Sequence, residues 1–425
     1  MMRINKQQIQ ELNQSHLVSH QRQLGHLKEQ LETNGTDTET LINSLQQFQV
    51  AIPSWALGAG GTRFGRYSYG GEPTSLEEKI RDVGVLHTLT QSAGAISLHI
   101  PWDIPGDPEA IRKLAASEGL VFDAMNSNTF QDQSDQPQLS YKFGSLCHTD
   151  RATREQAINH NKEVIDIGVS LGSKSLTVWL ADGSSFPGQL DFRKALARTR
   201  DSLREIYDYM PSDWKLFIEY KPYEPSFYST VIQDWGTSHM LANECGDNAY
   251  CLVDLGHHLP NTNIEQIVAT LLWKGKLGGF HFNDSKYGDD DLTVGAIKPY
   301  QLFLIFNELV RIPENNPSPA WMIDASHNLK DPLEDLIQSL EAIRLAYAQA
   351  LLVDQEELDQ AREANDVTMA QEILQRCYRT DLRPLLQEAR LRNGGVIDPL
   401  GVYRKTGVRQ SLIEQRGLEA VATGL

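Results

Sequence analysis

Short apolar runs alternate with longer amphipathic stretches from residue 53 to residue 324. The short runs fall at 53–58, 95–100, 120–125, 175–180, 215–220, 250–254, 278–283 and 320–324, and their length and turn-type borders predict strands. Helices are predicted between them near 75–92, 108–118, 154–171, 191–209, 235–246, 262–273 and 298–310. In 154–171, Ala157, Ile158, Val164, Ile165 and Val169 mark one side at the helical period. Asp331-Pro332 then reads as an N-cap followed by a first-turn proline, ahead of the stripe Leu333, Leu336, Ile337, Leu340, Ile343 and Tyr347. Eight strands alternating with helices match the ~250 residues of a (β/α)₈ TIM barrel. A doubly wound sheet fits less well. The glycines after the first run, Gly58 to Gly61, lead into Arg63-Phe64-Gly65 rather than a phosphate-binding helix.

The flanks read differently. Residues 1–50 form a polar helical arm in which Leu17, Leu24 and Leu31 share a face and Asn34-Gly35 supplies a stop. Residues 51–353 carry the barrel. Residues 354–425 hold two or three helices broken at Asn365-Asp366 and Pro384, then a turn-rich loop from Asn393 to Gly407. This extension has no catalytic spacing, so subunit contact or barrel covering is its expected role.

A formal charge of −17 opposes any sequence-independent grip on nucleic acid, which needs clustered Lys and Arg. No run of 18 apolar residues suggests a membrane helix, and the first 30 residues lack a signal-peptide core. Cys147, Cys245, Cys251 and Cys377 have neither zinc-type nor redox-type spacing. A cytoplasmic enzyme is expected.

The chemistry sits at the ends of the predicted strands. Glu219, Asp254, His281 and Asp324 each end or closely follow an apolar run, and a barrel brings such ends to one rim. Carboxylates with imidazoles suit divalent ions of the Mn, Co and Zn class. Glu219 and Lys221 alternate onto one face, where a structural ion pair would be costly to desolvate. His257 lies three residues after Asp254, where a loop can turn it inwards, whereas its neighbour His258 is expected to point elsewhere. The Phe residues flanking His281 should face the helices. Asp289-Asp290-Asp291 resembles a solvated turn in isolation, but beside His281 positions 289 and 291 are candidates for a second ion. A two-metal centre needs a bridging carboxylate, for which Glu219 or Asp254 is available.

Together these residues resemble the sugar-isomerase barrels, a superfamily of metal-dependent aldose–ketose isomerases. Glu219-Tyr-Lys221-Pro-Tyr-Glu-Pro225 is similar to the strand-five motif of xylose isomerases. Pro53-Ser54-Trp55-Ala56, His99-Ile100-Pro101-Trp102-Asp103 and Trp179-Leu180-Ala181-Asp182-Gly183 resemble the broad-specificity L-rhamnose isomerase group, over about residues 53 to 332. The resemblance implies two divalent ions, Mn²⁺ first, with Co²⁺, Mg²⁺ or Zn²⁺ as alternatives. Glu219, Asp254, His281 and Asp324 would hold one ion. Glu219, His257 and Asp289 would hold the other, with Asp291 close by. Lys221, His99 and Asp291 are then the expected catalytic groups, and Trp55, Phe64, Trp102 and Trp179 the apolar wall for a monosaccharide. L-Rhamnose to L-rhamnulose is the reaction implied, by hydride shift or through an enediol, in a homo-oligomer that is a dimer or tetramer. A metal-dependent epimerase is the nearest alternative. A barrel-type phosphodiester hydrolase is opposed by the acidity and the tryptophan-rich rim.

Overall fold

The computed structural model describes residues 5–419, apart from 59–60, 63–64, 67, 133–138, 225–226 and 326–328. Eight parallel strands close into a barrel: β1 (Ala51–Pro53), β2 (Ala95–Ile100), β3 (Val121–Ser127), β4 (Ser175–Val178), β5 (Lys215–Glu219), β6 (Ala249–Asp254), β7 (Leu277–Phe282) and β8 (Ala320–Ile323). The expected (β/α)₈ fold is therefore present. Its one displaced strand is β1. The run at 53–58 is strand only to Pro53, and Ser54–Leu57 winds into a short 3₁₀ turn before Gly58. A three-residue strand suffices because Ala51, Ile52 and Pro53 all pair with β2, and Ala51 also pairs with Met322 of β8.

Period-two alternation separates two environments. In β2, Ile96, Leu98 and Ile100 join the large core under the helices. In β5, Leu216 and Ile218 do the same, while Phe217 turns inwards to pack with Ala124, Tyr250 and Leu252. In β7, Phe280 and Phe282 stack outwards with Trp321 and Phe306, at ring separations of 5.2 to 6.1 Å. His281 is thereby left facing inwards.

Helices α1 (Lys6–Thr33) and α2 (Thr38–Gln47) precede the barrel. Leu27 and Leu31 are buried with Leu41, Ile42 and Leu45 against a later helix, so the arm is docked. The barrel helices are α3 (Leu76–Thr90), α4 (Pro108–Ser117), α5 (Arg151–Leu171), α6 (Phe192–Tyr207), α7 (Trp235–Cys245), α8 (Ile264–Trp273), α9 (Pro299–Leu309) and α10 (Pro332–Leu351). On α5 the expected stripe holds at Ala157, Ile158, Val164 and Ile165, but Val169 is exposed. The buried face runs instead through Gly168, where a Cβ would stand 2.6 Å from Trp214.

Beyond α10 lie α11 (Gln355–Glu363), α12 (Val367–Tyr378), α13 (Arg383–Arg392), α14 (Pro399–Lys405) and α15 (Val408–Arg416). The loop expected from Asn393 to Gly407 is partly helical, because Asp398 caps Pro399 and its successors by accepting from Gly401 N. Pro384 does not break a helix; it sits in the first turn of α13, where its missing N–H costs nothing.

The last helices return to the rim. Arg416 grips buried Asp82 of α3 through both terminal nitrogens, at 2.7 and 2.8 Å, and donates to Gly71 O. Arg409 grips Asp331 at 2.6 and 2.9 Å and donates to Gly70 O, while Tyr403 also donates to Asp331. Gly70 and Gly71 have φ of +91° and +75°, and Cβ atoms there would strike Leu418 and the α15 backbone. The extension thus clasps the loops that follow β1 and β8. Removing one partner of a buried ion pair strands the other charge, at a typical loss of about 3–5 kcal/mol. Arg416→Met should lower unfolding free energy by that order in a denaturant titration; a stability within 0.5 kcal/mol of the parent would show that the clasp is not stabilising.

Candidate metal and substrate site

Strand register brings the acidic ends together. Asp254 pairs with His281 across β6 and β7, Leu252 with Glu219 across β5 and β6, and Asp324 follows directly on β8 with its N–H on Phe282 O. One ligand-type atom from each of Glu219, Asp254, His281 and Asp324 lies within 4.8 Å of the others. His281 Nδ1 is 3.1 Å from Glu219 Oε1, 3.3 Å from Asp324 Oδ2 and 3.8 Å from Asp254 Oδ2. Beside them, His257 Nε2 is 2.8 Å from Asp289 Oδ1. Its Nδ1 is buried without a hydrogen bond, aimed at Glu219 Oε1 3.3 Å away. Glu219 therefore stands between the two imidazoles. A compact set of oxygen and imidazole donors with an orphaned ring nitrogen fits the divalent ions expected from the sequence.

The aspartate run divides its labour. Asp290 accepts from Ser285 Oγ and the N–H groups of Lys286, Tyr287 and Gly288, which closes its own turn. Asp289 and Asp291 adopt left-handed backbone, with φ of +58° and +44°, and both line the cavity. Aspartate tolerates that conformation better than most residues. His258 points away and meets Tyr220 Oη at 2.8 Å.

A cavity of about 500 Å³ opens over this cluster. Lys221 Nζ reaches into it, donating to Asp289 and, at 3.0 Å, to Glu224, and lies 5.0 Å from the Trp179 ring centroid. Trp55 and His99 meet edge to face at 5.3 Å, and Phe130 links His99 to Trp179 at 5.6 and 4.8 Å. Trp102 stacks on His99 at 4.3 Å and does not line the cavity. Phe64 lies outside the described residues. Glu224 and Phe130 escaped the sequence reading. Glu224 lies inside the strand-five motif with nothing in the sequence to mark it out, and Phe130 is an isolated aromatic just past a predicted strand end. Asp182 of the Trp-Leu-Ala-Asp-Gly segment serves the scaffold, accepting from Ser145 N, Ser145 Oγ and Cys147 N.

Electrostatics follow from burial and crowding. Burial pushes Asp254 up to about 7 against the pull of His257, with Glu219 and Asp324 adding repulsion. Burial likewise lifts Asp291, and Asp289, Asp324 and Asp254 lift it further. Burial would also raise Glu219, but His281 and His257 beside it overcome this and hold it at about 2. Both imidazoles would lose their protons through burial; the surrounding carboxylates reverse this and raise them well above 6.5. His99, buried and near His160, is depressed to about 3 and stays neutral.

The chain is matched from residue 89 to residue 303 by the model for the xylose isomerase-like TIM barrel. It is 53% identical over 399 residues to a protein of Mesorhizobium japonicum named a probable sugar isomerase, covering 93% of this chain and 92% of that one. A second relative of the same name, from Rhizobium meliloti, is 52% identical over 401 residues, covering 94% and 93%. This chain belongs to the xylose isomerase-like TIM-barrel family. Solved structures of similar fold include an L-ribulose 3-epimerase, at TM-score 0.52 and 14% identity over 76% of this chain and 98% of that one. Another is a 3-keto-D-glucoside 4-epimerase from E. coli, at TM-score 0.51 and 13% identity over 70% and 99%. At such identities they speak for the fold of this xylose isomerase-like barrel.

The raised groups give a proton signature. Asp254, His257 and His281 hold protons near neutrality in the metal-free cluster, and a cation must displace them. Mn²⁺ affinity, measured by calorimetry in buffers of different ionisation enthalpy, should rise from pH 5.5 to pH 8 with net proton release. Binding that takes up no change in protons across that range would contradict this charge arrangement.

Proposed function

We propose that the chain is a divalent-metal-dependent aldose–ketose isomerase, with L-rhamnose and L-rhamnulose as its first substrate pair. The observation carrying this reading is the convergence of Glu219, Asp254, His281 and Asp324 beneath a cavity into which Lys221 projects. The two relatives named probable sugar isomerases support it. Glu219, Asp254, His281 and Asp324 would hold one ion, and Glu219, His257 and Asp289 the other; Mn²⁺ is proposed ahead of Co²⁺, Mg²⁺ and Zn²⁺. When bound, such ions supply Lewis acidity at the oxygens of the reacting carbons.

The chain's own residues do the rest. Aldose–ketose exchange moves one hydrogen between C2 and C1 and one proton from O2 to O1. Lys221 keeps its charge because Asp289 and Glu224 outweigh the effect of burial, so its Nζ can donate to the oxygen that gains electron density. Asp291, which lines the cavity, would carry the proton between the two oxygens. Neutral His99 offers one ring donor and one acceptor to sugar hydroxyls. Trp55, Phe130 and Trp179 present apolar faces to C–H groups and keep water from the reacting carbons. Both the hydride and the enediol route satisfy this balance.

The same reading includes a homo-oligomer, dimer or tetramer, in the cytoplasm. Exposed Phe143, Phe186, Leu259 and Tyr287 on four rim loops support a covered mouth.

Purified protein should lose turnover on chelation and regain it with Mn²⁺ or Co²⁺ when aldoses including L-rhamnose are assayed for ketose. Full activity of the metal-free protein eliminates the proposal, and an epimer in place of a ketose moves it to the epimerase. Lys221→Met should lower kcat by roughly 10²–10³-fold, the usual cost of one preorganised donor, with metal content near that of the parent. Unchanged kinetics would remove Lys221 from the reaction.

A further inference from the structure

Among the four clustered groups, Asp324 is the least confined. Its side chain is 21% exposed, against 4% or less for Glu219, Asp254 and His281. Asp254 is fixed by Asn283 Nδ2, at 3.0 and 3.1 Å to its two oxygens, and by Gly256 N at 2.7 Å. Asp324 follows the last residue of β8, and its carboxylate meets the imidazole of His281 and the indole of Trp55. Trp55 Nε1 donates to Asp324 Oδ1 at 2.8 Å, leaving Oδ2 facing His281.

Trp55 is itself held from behind. Its neighbour Ser54 donates to Asp103, which also accepts from His99 N at 2.9 Å and from Lys79 Nζ at 2.7 Å. Lys79 and Asp103 are both essentially inaccessible to solvent. A buried ion pair of this kind is a poor source of stability but a strict geometric constraint. It fastens the 3₁₀ turn after β1 to the end of β2 and to α3. The indole ring is further wedged edge to face against His99. A relay of rigid contacts therefore runs from Lys79 through Asp103 and Ser54 to Trp55, and ends on one oxygen of Asp324.

We propose that Trp55 is a positioning residue for the metal group containing Asp324, in addition to walling the substrate cavity, and that Asp103 and Lys79 hold it in register. The inference rests on the metal-site reading above. An N–H donor to one oxygen of a ligating carboxylate fixes which oxygen faces the ion, and such outer partners typically govern metal affinity by roughly 10–100-fold. The effect should be selective. Trp55 touches Asp324 but neither His257 nor Asp289 in any hydrogen bond, so only one of the two ions depends on it.

The test is Mn²⁺ binding to the full-length protein by electron paramagnetic resonance and calorimetry. Trp55→Phe keeps an aromatic ring and deletes the N–H. It should weaken one equivalent of Mn²⁺ by roughly 10-fold or more and leave the other within about 2-fold of the parent. Equal affinity at both sites, or equal weakening of both, overturns the proposal. If the parent binds no Mn²⁺, the metal reading itself fails, which is a different result. Should Trp55→Phe fail to fold, Ser54→Ala decides: it frees the turn from Asp103 with the indole intact and should weaken the same single equivalent. No selective weakening in that variant overturns the relay.

Discussion

Mutual repulsion among carboxylates in a dry barrel mouth is the constraint on which the rest of this molecule depends. Glu219, Asp254, Asp289, Asp291 and Asp324 crowd together, and two like charges 4 Å apart repel by about 4 kcal/mol at an effective dielectric near 20. Positive charge must answer them. Lys221 and the two imidazoles do so in part, which is why His257 and His281 are raised despite complete burial. Asp254 and Asp291 respond in the opposite sense, by being driven towards their neutral forms. A buried cluster that resists its own ionisation is an energetic commitment that packing alone would never favour.

The barrel makes this crowding affordable by putting rigid strand ends around it. Period-two alternation gives each strand one face for the helices and one for the interior, so Leu216, Ile218, Phe280 and Phe282 secure the positions of Glu219 and His281. Register does the rest: Asp254 and His281 are adjacent because β6 and β7 pair as they do. The loops contribute what strands lack. Asp289 and Asp291 reach the cavity through left-handed backbone, in a turn that Asp290 ties to itself.

Much of this arrangement is legible along the chain, and the exceptions share a cause. Alternation alone places Glu219 with Lys221 and turns the Phe neighbours of His281 outwards. Spacing from Asp254 separates His257 from His258. Positions 289 and 291 are candidates on the sequence, but what ties Asp290 back lies in which backbone N–H groups a tight turn presents. Phe130 is similarly hidden, since it matters only through His99 and Trp179 after other strands, and Glu224 matters only once the segment after β5 folds back onto Lys221. Strand β1 is shorter than its apolar run because Trp55 and Leu57 are buried in a 3₁₀ turn, and burial looks the same in a turn as in a strand. The helix α14 was masked by Asp398-Pro399, a pair that opens helices as readily as it closes loops.

The C-terminal extension shows the same limit from the other side. Its residues have no catalytic spacing, yet Arg409 and Arg416 bind the loops after β1 and β8, whose strands lie side by side where the barrel closes. β1 and β8 are also joined by a single register pair, Ala51 with Met322. The seam with the least strand pairing is therefore the one clasped from outside by buried ion pairs. Trp55 and Asp324 face each other across that same seam. Their hydrogen bond spans the place where the barrel's own ladder is thinnest. The arginine clasp outside the rim and the indole–carboxylate bond within it thus solve one mechanical problem, at the point where the first and last strands must meet accurately enough to complete a shared site.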